Sequence, residues 1–317
     1  MKNARSLSFD FPGLRIGCAE YAEGPTGTTM FHFPSRVWAA VDCRGGSPAT
    51  SLTDLIRANY APFVSAIVFS GGSAFGLEAA SGVVSRLLSS GVAYAKWDGI
   101  AIVPSAVVYD FRGRTNSIFP DRELGMAAFD SARDGFFPLG AHGAGAFVHC
   151  GKVAGEDYME RAGQGGAFGQ FGSTKIAVFT VVNAIGCLVD RAGTVVLGNR
   201  DPATGLRRPA AELRKWDESR NGTVPAHSGE LTGNTTLTLV ITNREMNETQ
   251  LQRLAVQTHV SMARAIQPFH ASRDGDTLFA VTTREDHSSD PSLDDLCLYA
   301  SEIAWDAVLS CADRSPA

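Results

Sequence analysis

Gly233-Asn234-Thr235-Thr236 runs straight into Leu237-Thr238-Leu239-Val240-Ile241, and the junction joins two unlike kinds of chain. Downstream, a short apolar run with β-branched residues reads as a buried strand. Upstream, from Asp201 to Gly233, there is almost no apolar periodicity, while Pro, Gly, Arg, Glu and Asn are plentiful. A structureless segment of that length inside a compact domain is either functional or disordered. A threonine therefore opens a buried strand directly after a long polar loop. Cutting the Asn234–Thr235 bond would leave Thr235 with a free α-amine beside its own hydroxyl. An α-amine titrates at about 8, so it can remove the hydroxyl proton and activate an otherwise poor nucleophile. The same hydroxyl could perform the cut by attacking the preceding carbonyl in an N-to-O acyl shift. An ordinary Asn-Thr turn after a surface linker is the alternative.

Outward from this junction, strand and helix patterns alternate, which is the signature of an α/β fold. Val37–Val41, Val64–Phe69, Ile176–Val182 and Thr277–Thr283 read as strands, and Ile185–Val189 as another after a hairpin-like corner at Asn183-Ala184. Three apolar stripes at helical spacing predict helices. The first runs from Leu77 to Leu88 and the second from Leu251 to Ile266, opened by an Asn247/Gln250 capping box. The third runs from Leu293 to Val308 after Asp290-Pro291-Ser292. Two glycine clusters punctuate the pattern. Ser70-Gly71-Gly72-Ser73-Ala74-Phe75-Gly76 sits between strand and helix, where a phosphate cradle would sit, but matches neither dinucleotide nor P-loop spacing. The glycines there predict close helix packing or a pocket border. Gly163–Gly169 reads as a loop.

Composition narrows the function classes. With 317 residues, 44% hydrophobic and 19% charged, the chain is globular and large enough to bury a core without staples. Lys+Arg 28 against Asp+Glu 33 gives a net charge of −5. No basic excess is available to displace counterions from phosphates, which argues against a nucleic-acid partner. No apolar h-region follows Met1-Lys2-Asn3-Ala4-Arg5, and no run approaches the ~18 apolar residues of a membrane span. A cytoplasmic protein without a membrane partner is expected. The six cysteines lie far apart without a C-x-x-C pair and are expected to be reduced core residues. The seven histidines lack zinc-ligand spacing, so neither metal nor other cofactor is expected.

Three further features matter beside Thr235. Asn183 ends a strand, where its amide can donate to an oxyanion; the alternative is an Asn tolerated in a turn. Asp274 and Asp276 lie two apart at a strand start, so both carboxylates can face one site. There they would push each other's titration apart, hold a substrate amine or orient the Thr235 amine. A solvated Asp-Gly turn is the competing reading. Lys152 follows a short strand at Cys150-Gly151-Lys152-Val153.

Several stretches together carry a resemblance: Phe9-Asp10-Phe11-Pro12-Gly13, Glu23-Gly24-Pro25-Thr26-Gly27, Val41-Asp42-Cys43-Arg44-Gly45-Gly46, Gly72-Ser73-Ala74-Phe75-Gly76-Leu77-Glu78, Asp190-Arg191-Ala192-Gly193-Thr194-Val195-Val196, Gly233-Asn234-Thr235-Thr236 and Asp274-Gly275-Asp276-Thr277-Leu278-Phe279-Ala280-Val281. From about residue 8 to residue 309 the chain resembles the self-processing N-terminal-nucleophile hydrolases. These include L-aminopeptidase/D-esterases, β-peptidyl aminopeptidases and, most similar, the nylon-oligomer (6-aminohexanoate-oligomer) endohydrolases. The resemblance implies a four-layer α-β-β-α sandwich of the L-aminopeptidase/D-esterase type. It implies one domain over residues 1–317, autocleaved into an α fragment 1–234 and a β fragment 235–317, with the heterodimers forming a homotetramer. Thr235 is then the nucleophile and Asn183 the oxyanion donor. Lys152 lies beside the nucleophile, Tyr109 is on the substrate side, and Asp274 and Asp276 assist cleavage. The aminopeptidase branch carries Ser and Glu where this chain has the Asp pair, which favours the nylon-hydrolase branch. The expected substrate is a linear amide such as a 6-aminohexanoate oligomer. An exo-acting β-peptidyl aminopeptidase, an acyltransferase like the ornithine acetyltransferases, and a non-enzymatic binding protein are the rivals.

Overall fold

The computed structural model describes residues 5–58, 63–213 and 233–312. Of the polar segment Asp201–Gly233, residues 214–232 lie outside the described residues, as do residues 1–4 of the N-terminal stretch.

One long strand, Thr26–Cys43, organises the fold. It breaks register between His32 and Val37, and Arg36 there has φ 48°. Along one edge it pairs antiparallel with Phe63–Ser70 on both sides of the break, and along the other it pairs antiparallel with Arg15–Tyr21 before it. After the break it pairs with Thr277–Asp286. The sheet continues through Thr235–Arg244, parallel to Thr277–Asp286, then antiparallel to Thr174–Asn183 and Gln164–Phe171. Its two halves face each other. Phe31 and Phe69 from one half meet Phe179 and Phe279 from the other, with ring centroids 5.5 Å apart for Phe31–Phe179 and 6.2 Å for Phe69–Phe279.

Alternation along each strand sends the opposite side chains outward to helices. Met30, Ala66 and Val68 pack against Ala79, Val83, Leu87 and Ala128 of helices Ala79–Ser89 and Arg122–Asp130. Helices Glu248–Ser261 and Leu293–Ser310 cover the other half. The result is an α-β-β-α sandwich of four layers. The last helix starts where Ser292 accepts the Asp295 N–H, with Asp294 and Asp295 in its first turn opposing the helix dipole. The Asn247/Gln250 capping box forms as expected. No helix among the described residues is long and apolar enough to cross a membrane.

Three local expectations are corrected. The Gly163–Gly169 cluster is mostly strand, within Gln164–Phe171, and not a loop. Its glycines admit the last helix, since a Cβ on Gly165 would lie 2.0 Å from the Ala307 carbonyl oxygen. Asn183-Ala184 is not a hairpin corner. The segment beyond it leaves the large sheet, and Cys187–Val189 pairs with Val195–Leu197 and Ile266–Gln267 instead. The intervening peptide groups are taken by Gly151, Lys152 and Asp274, which prevents a hairpin ladder. Finally, the second helix ends at Ser261, and Ile266 belongs to a short strand.

Candidate active site

Sheet register places Asn183 directly opposite Thr235, the two forming the end pair of their ladder. Thr235 is buried and its Oγ1 donates to the Asn234 carbonyl oxygen at 2.5 Å. The same oxygen accepts the Gly275 N–H at 2.8 Å. The carbonyl of the Asn234–Thr235 peptide thus holds the threonine hydroxyl on one side and a backbone donor on the other. A Cβ on Gly275 would approach Thr235 Oγ1 to 2.6 Å, so only glycine lets the backbone come this close.

Lys152, 1% exposed, spends its three donors inside the site. They reach the Asn183 carbonyl at 2.9 Å, Asn183 Oδ1 at 2.9 Å and Asn234 Oδ1 at 3.0 Å. Burial, with the Arg112 charge adding to it, pushes the Lys152 ammonium down to about 7. Asn183 Oδ1 also accepts the His149 N–H at 3.1 Å. The Asn183 Nδ2 protons go to the carbonyls of Tyr109 at 2.9 Å and Gly233 at 3.0 Å. In the continuous chain the Asn183 amide thus donates to Tyr109 and Gly233, and it is Gly275 that donates to the Asn234 carbonyl. Tyr109 closes the other side, its ring so near Gly233 that a Cβ there would come within 2.4 Å.

The acidic pair is buried on the far side of the same peptide. Asn234 bridges Asp274 in parallel register. Asp274 accepts N–H groups from Ile185 at 3.3 Å and Ala271 at 3.0 Å. Asp276 accepts the Thr236 N–H at 2.7 Å and, through Oδ2, the His270 N–H at 3.0 Å. Burial, reinforced by the Asp276 charge, pushes Asp274 up to about 7. The structure therefore brings together all six residues named from the sequence, Tyr109, Lys152, Asn183, Thr235, Asp274 and Asp276, around Asn234.

Two contributors escaped the sequence reading. Gly275 lay hidden between the aspartates as a turn glycine, and His270 gave no spacing signal. The glycine turn at Ser70–Gly76 proves to be a brace. Gly72 N–H and Thr26 Oγ1 donate to Asp110, at 2.9 and 2.5 Å, and Asp110 pairs with buried Arg114 at 2.9 Å. A carboxylate thus occupies the Gly72 N–H that a phosphate would need, while Tyr109 is anchored next to it. A cavity of about 650 Å³ lies elsewhere, lined by Trp38, Ile56, Val256 and Leu293 among others, and includes none of these site residues. Among the described residues, no three His, Cys, Asp or Glu side chains gather as a metal site.

The family model for peptidase family S58 matches residues 8–312. The chain belongs to peptidase family S58. As a member of a peptidase family, it is a hydrolase. This S58 member is 43% identical over 313 residues to a 6-aminohexanoate-oligomer endohydrolase of Paenarthrobacter ureafaciens, covering 96% of this chain and 85% of that protein. Among solved structures it matches a Burkholderia sp. beta-aminopeptidase with TM-score 0.67 at 16% identity, over 95% of this chain and 84% of that one. It also matches the L-aminopeptidase D-Ala-esterase/amidase of Ochrobactrum anthropi, described as a variant of the Ntn hydrolase fold. That match has TM-score 0.67 at 17% identity, over 96% and 85% of the two chains. At such identities the structural matches speak to the S58 fold, and they agree with the four layers described above.

Proposed function

We propose that the chain cuts itself between Asn234 and Thr235, and that the exposed Thr235 then hydrolyses linear amides such as 6-aminohexanoate oligomers. The observation that carries this reading is the intact junction: the Thr235 hydroxyl and the Gly275 N–H converge on the oxygen of the Asn234 carbonyl. Thr235 Oγ attacks the Asn234 carbonyl carbon and its proton passes to the ionised member of the Asp pair. The Gly275 N–H stabilises the oxyanion. The amide C–N bond breaks as the Thr235 nitrogen takes up a proton, and water hydrolyses the resulting ester. The products are fragment 1–234, ending in a carboxylate, and fragment 235–317, starting with a free amine.

Release of Gly233 and Asn234 frees one Asn183 proton and one Lys152 donor, because both are engaged by those two residues in the continuous chain. A substrate carbonyl takes the vacated place. The Thr235 amine accepts the hydroxyl proton, Asn183 Nδ2 and Gly275 N–H hold the oxyanion, and the amine proton is passed to the leaving nitrogen. Lys152, poised near neutrality, supplies and recovers protons as the acyl ester forms and is hydrolysed. Tyr109 borders the acyl side. The amide substrate class follows from the 43% identical endohydrolase, and no cofactor enters any step. We assign the processed heterodimers to a homotetramer; the exposed apolar side chains of Leu88, Val92, Tyr94, Trp97 and Ile100 supply a surface for it.

Denaturing electrophoresis and N-terminal sequencing test the reading. Purified protein should give two bands, the smaller starting Thr235-Thr236-Leu237. Thr235→Ala should remain one inactive chain, and turnover by that variant would sink the mechanism. Cleavage of an oligomer with a blocked amino terminus marks endo action; failure on that substrate alone would mark an exo-aminopeptidase instead.

A further inference from the structure

We propose that His270 is a positioning residue: by donating both its backbone N–H and its ring Nδ1–H to Asp276 Oδ2, it keeps that carboxylate ionised and so places the proton of the acidic pair on Asp274. The inference rests on the hydrolytic reading above and assigns a task to a side chain outside the six.

The geometry of the two carboxylates is unequal. Asp276 faces three donors: the Thr236 N–H at 2.7 Å, the His270 N–H at 3.0 Å and His270 Nδ1 at 3.0 Å. Among the described residues Asp274 faces two, both backbone, at 3.0 and 3.3 Å. Hydrogen bonds to the charged form favour it, so the better-supplied Asp276 is the natural place for the charge of the pair. Two neighbouring buried carboxylates do not both ionise readily, and the remaining proton falls to Asp274.

The ring is held for this purpose. Its Nε2 is buried with no hydrogen-bond partner among the described residues, so the ring's hydrogen bond runs through Nδ1, placed to donate to the carboxylate. Phe269 stacks on it, centroids 3.9 Å apart, and the fully buried His259 stands perpendicular at 4.4 Å. His259 is itself fixed by Asp42, whose Oδ2 lies 2.9 Å from its Nδ1 and 2.6 Å from Arg44 Nε. His270 adopts φ 59°, a left-handed conformation uncommon for non-glycine residues, though histidine is among those that tolerate it. The charged and titratable groups facing the pair are therefore His270, His259 from helix Glu248–Ser261, Asp42 and Arg44 beside the long strand, and Lys152 opposite Asp274.

The test compares His270→Gly with His270→Asn, both suited to a positive φ. Glycine removes the ring donor and keeps the backbone N–H; asparagine returns an amide N–H near the place of Nδ1. The readout is the pH profile of kcat/KM on a 6-aminohexanoate oligomer. In parallel, conversion of the single chain into two is followed against pH, so that a slowly processed variant still reports. Removing the ring donor takes one hydrogen bond from the charged form of the pair. The acid limb should move up by about one unit in His270→Gly and stay in place in His270→Asn. On the acid limb this is about a tenfold loss that disappears above it. A His270→Gly limb coincident with the parent's, or equal pH-independent losses in both variants, overturns the proposal. Thr235→Ala separates the two levels: if it is inactive while the limb is unmoved, only the His270 assignment falls.

Discussion

Lys152 gives the chain a stability profile that can be worked out and measured. Its ammonium ordinarily titrates near 10.5 and is pushed by burial to about 7 in the folded chain. Between those pH values the unfolded chain binds a proton that the folded chain does not. Stability therefore rises with pH across that window, by about 1.4 kcal/mol per unit. Below pH 7 both states carry the proton and Lys152 adds no slope. The side chain is 1% exposed, so solvent screening takes little from this. The assay uses the uncut Thr235→Ala chain with and without Lys152→Met, unfolded in urea at pH 6, 7, 8.5 and 10. Methionine keeps the apolar stem and cannot titrate. The difference in unfolding free energy between the two chains should be flat from pH 6 to 7, then shift by about 4 kcal/mol toward the lysine form by pH 10. Parallel curves over the whole range would refute the claim that the ammonium is buried against its charge. The same result would remove the proton-shuttle role proposed for it.

The remaining predictions concern the junction and its brace. Gly275→Ala, whose methyl would sit 2.6 Å from Thr235 Oγ1 and 2.8 Å from the Ser47 carbonyl oxygen, should slow self-cleavage at least about tenfold. Band conversion on denaturing gels reads this, and an unchanged rate would remove Gly275 from the site. Asp110→Asn breaks a buried pair with Arg114 and should cost about 3–5 kcal/mol of stability in denaturant unfolding. Because Tyr109 precedes Asp110, a substrate KM rise should accompany it; a stability loss under 1 kcal/mol would contradict the burial of that pair.

Much of this could be read from the chain alone because it is local. The strand after Thr235, the capped helices and the alternation of types follow from periodicity and cap chemistry confined to a few residues. The chemical promise of Thr235 is also local, since one residue supplies both hydroxyl and latent amine. Where local signal misleads, long-range contact overrides it. The glycines at Gly163–Gly169 look like a loop, yet Gly165 is glycine because the Ala307 carbonyl lies against it. Asn183-Ala184 looks like a corner, yet Asp274 and Lys152 take the peptide groups that a hairpin would use.

The amino-acid order alone supplies the candidate nucleophile, the layer-forming pattern and the residues from which a site is built. How they meet is a matter of folding: Asn183 opposite Thr235, Gly275 on the Asn234 carbonyl, Lys152 spanning Asn183 and Asn234, and His270 on Asp276. The reason is physical. Hydrogen-bond partners and burial are set by segments far apart in the chain, such as Lys152 with Asn234 and His259 with Asp42, and the same side chains in water would show ordinary acidity and no alignment.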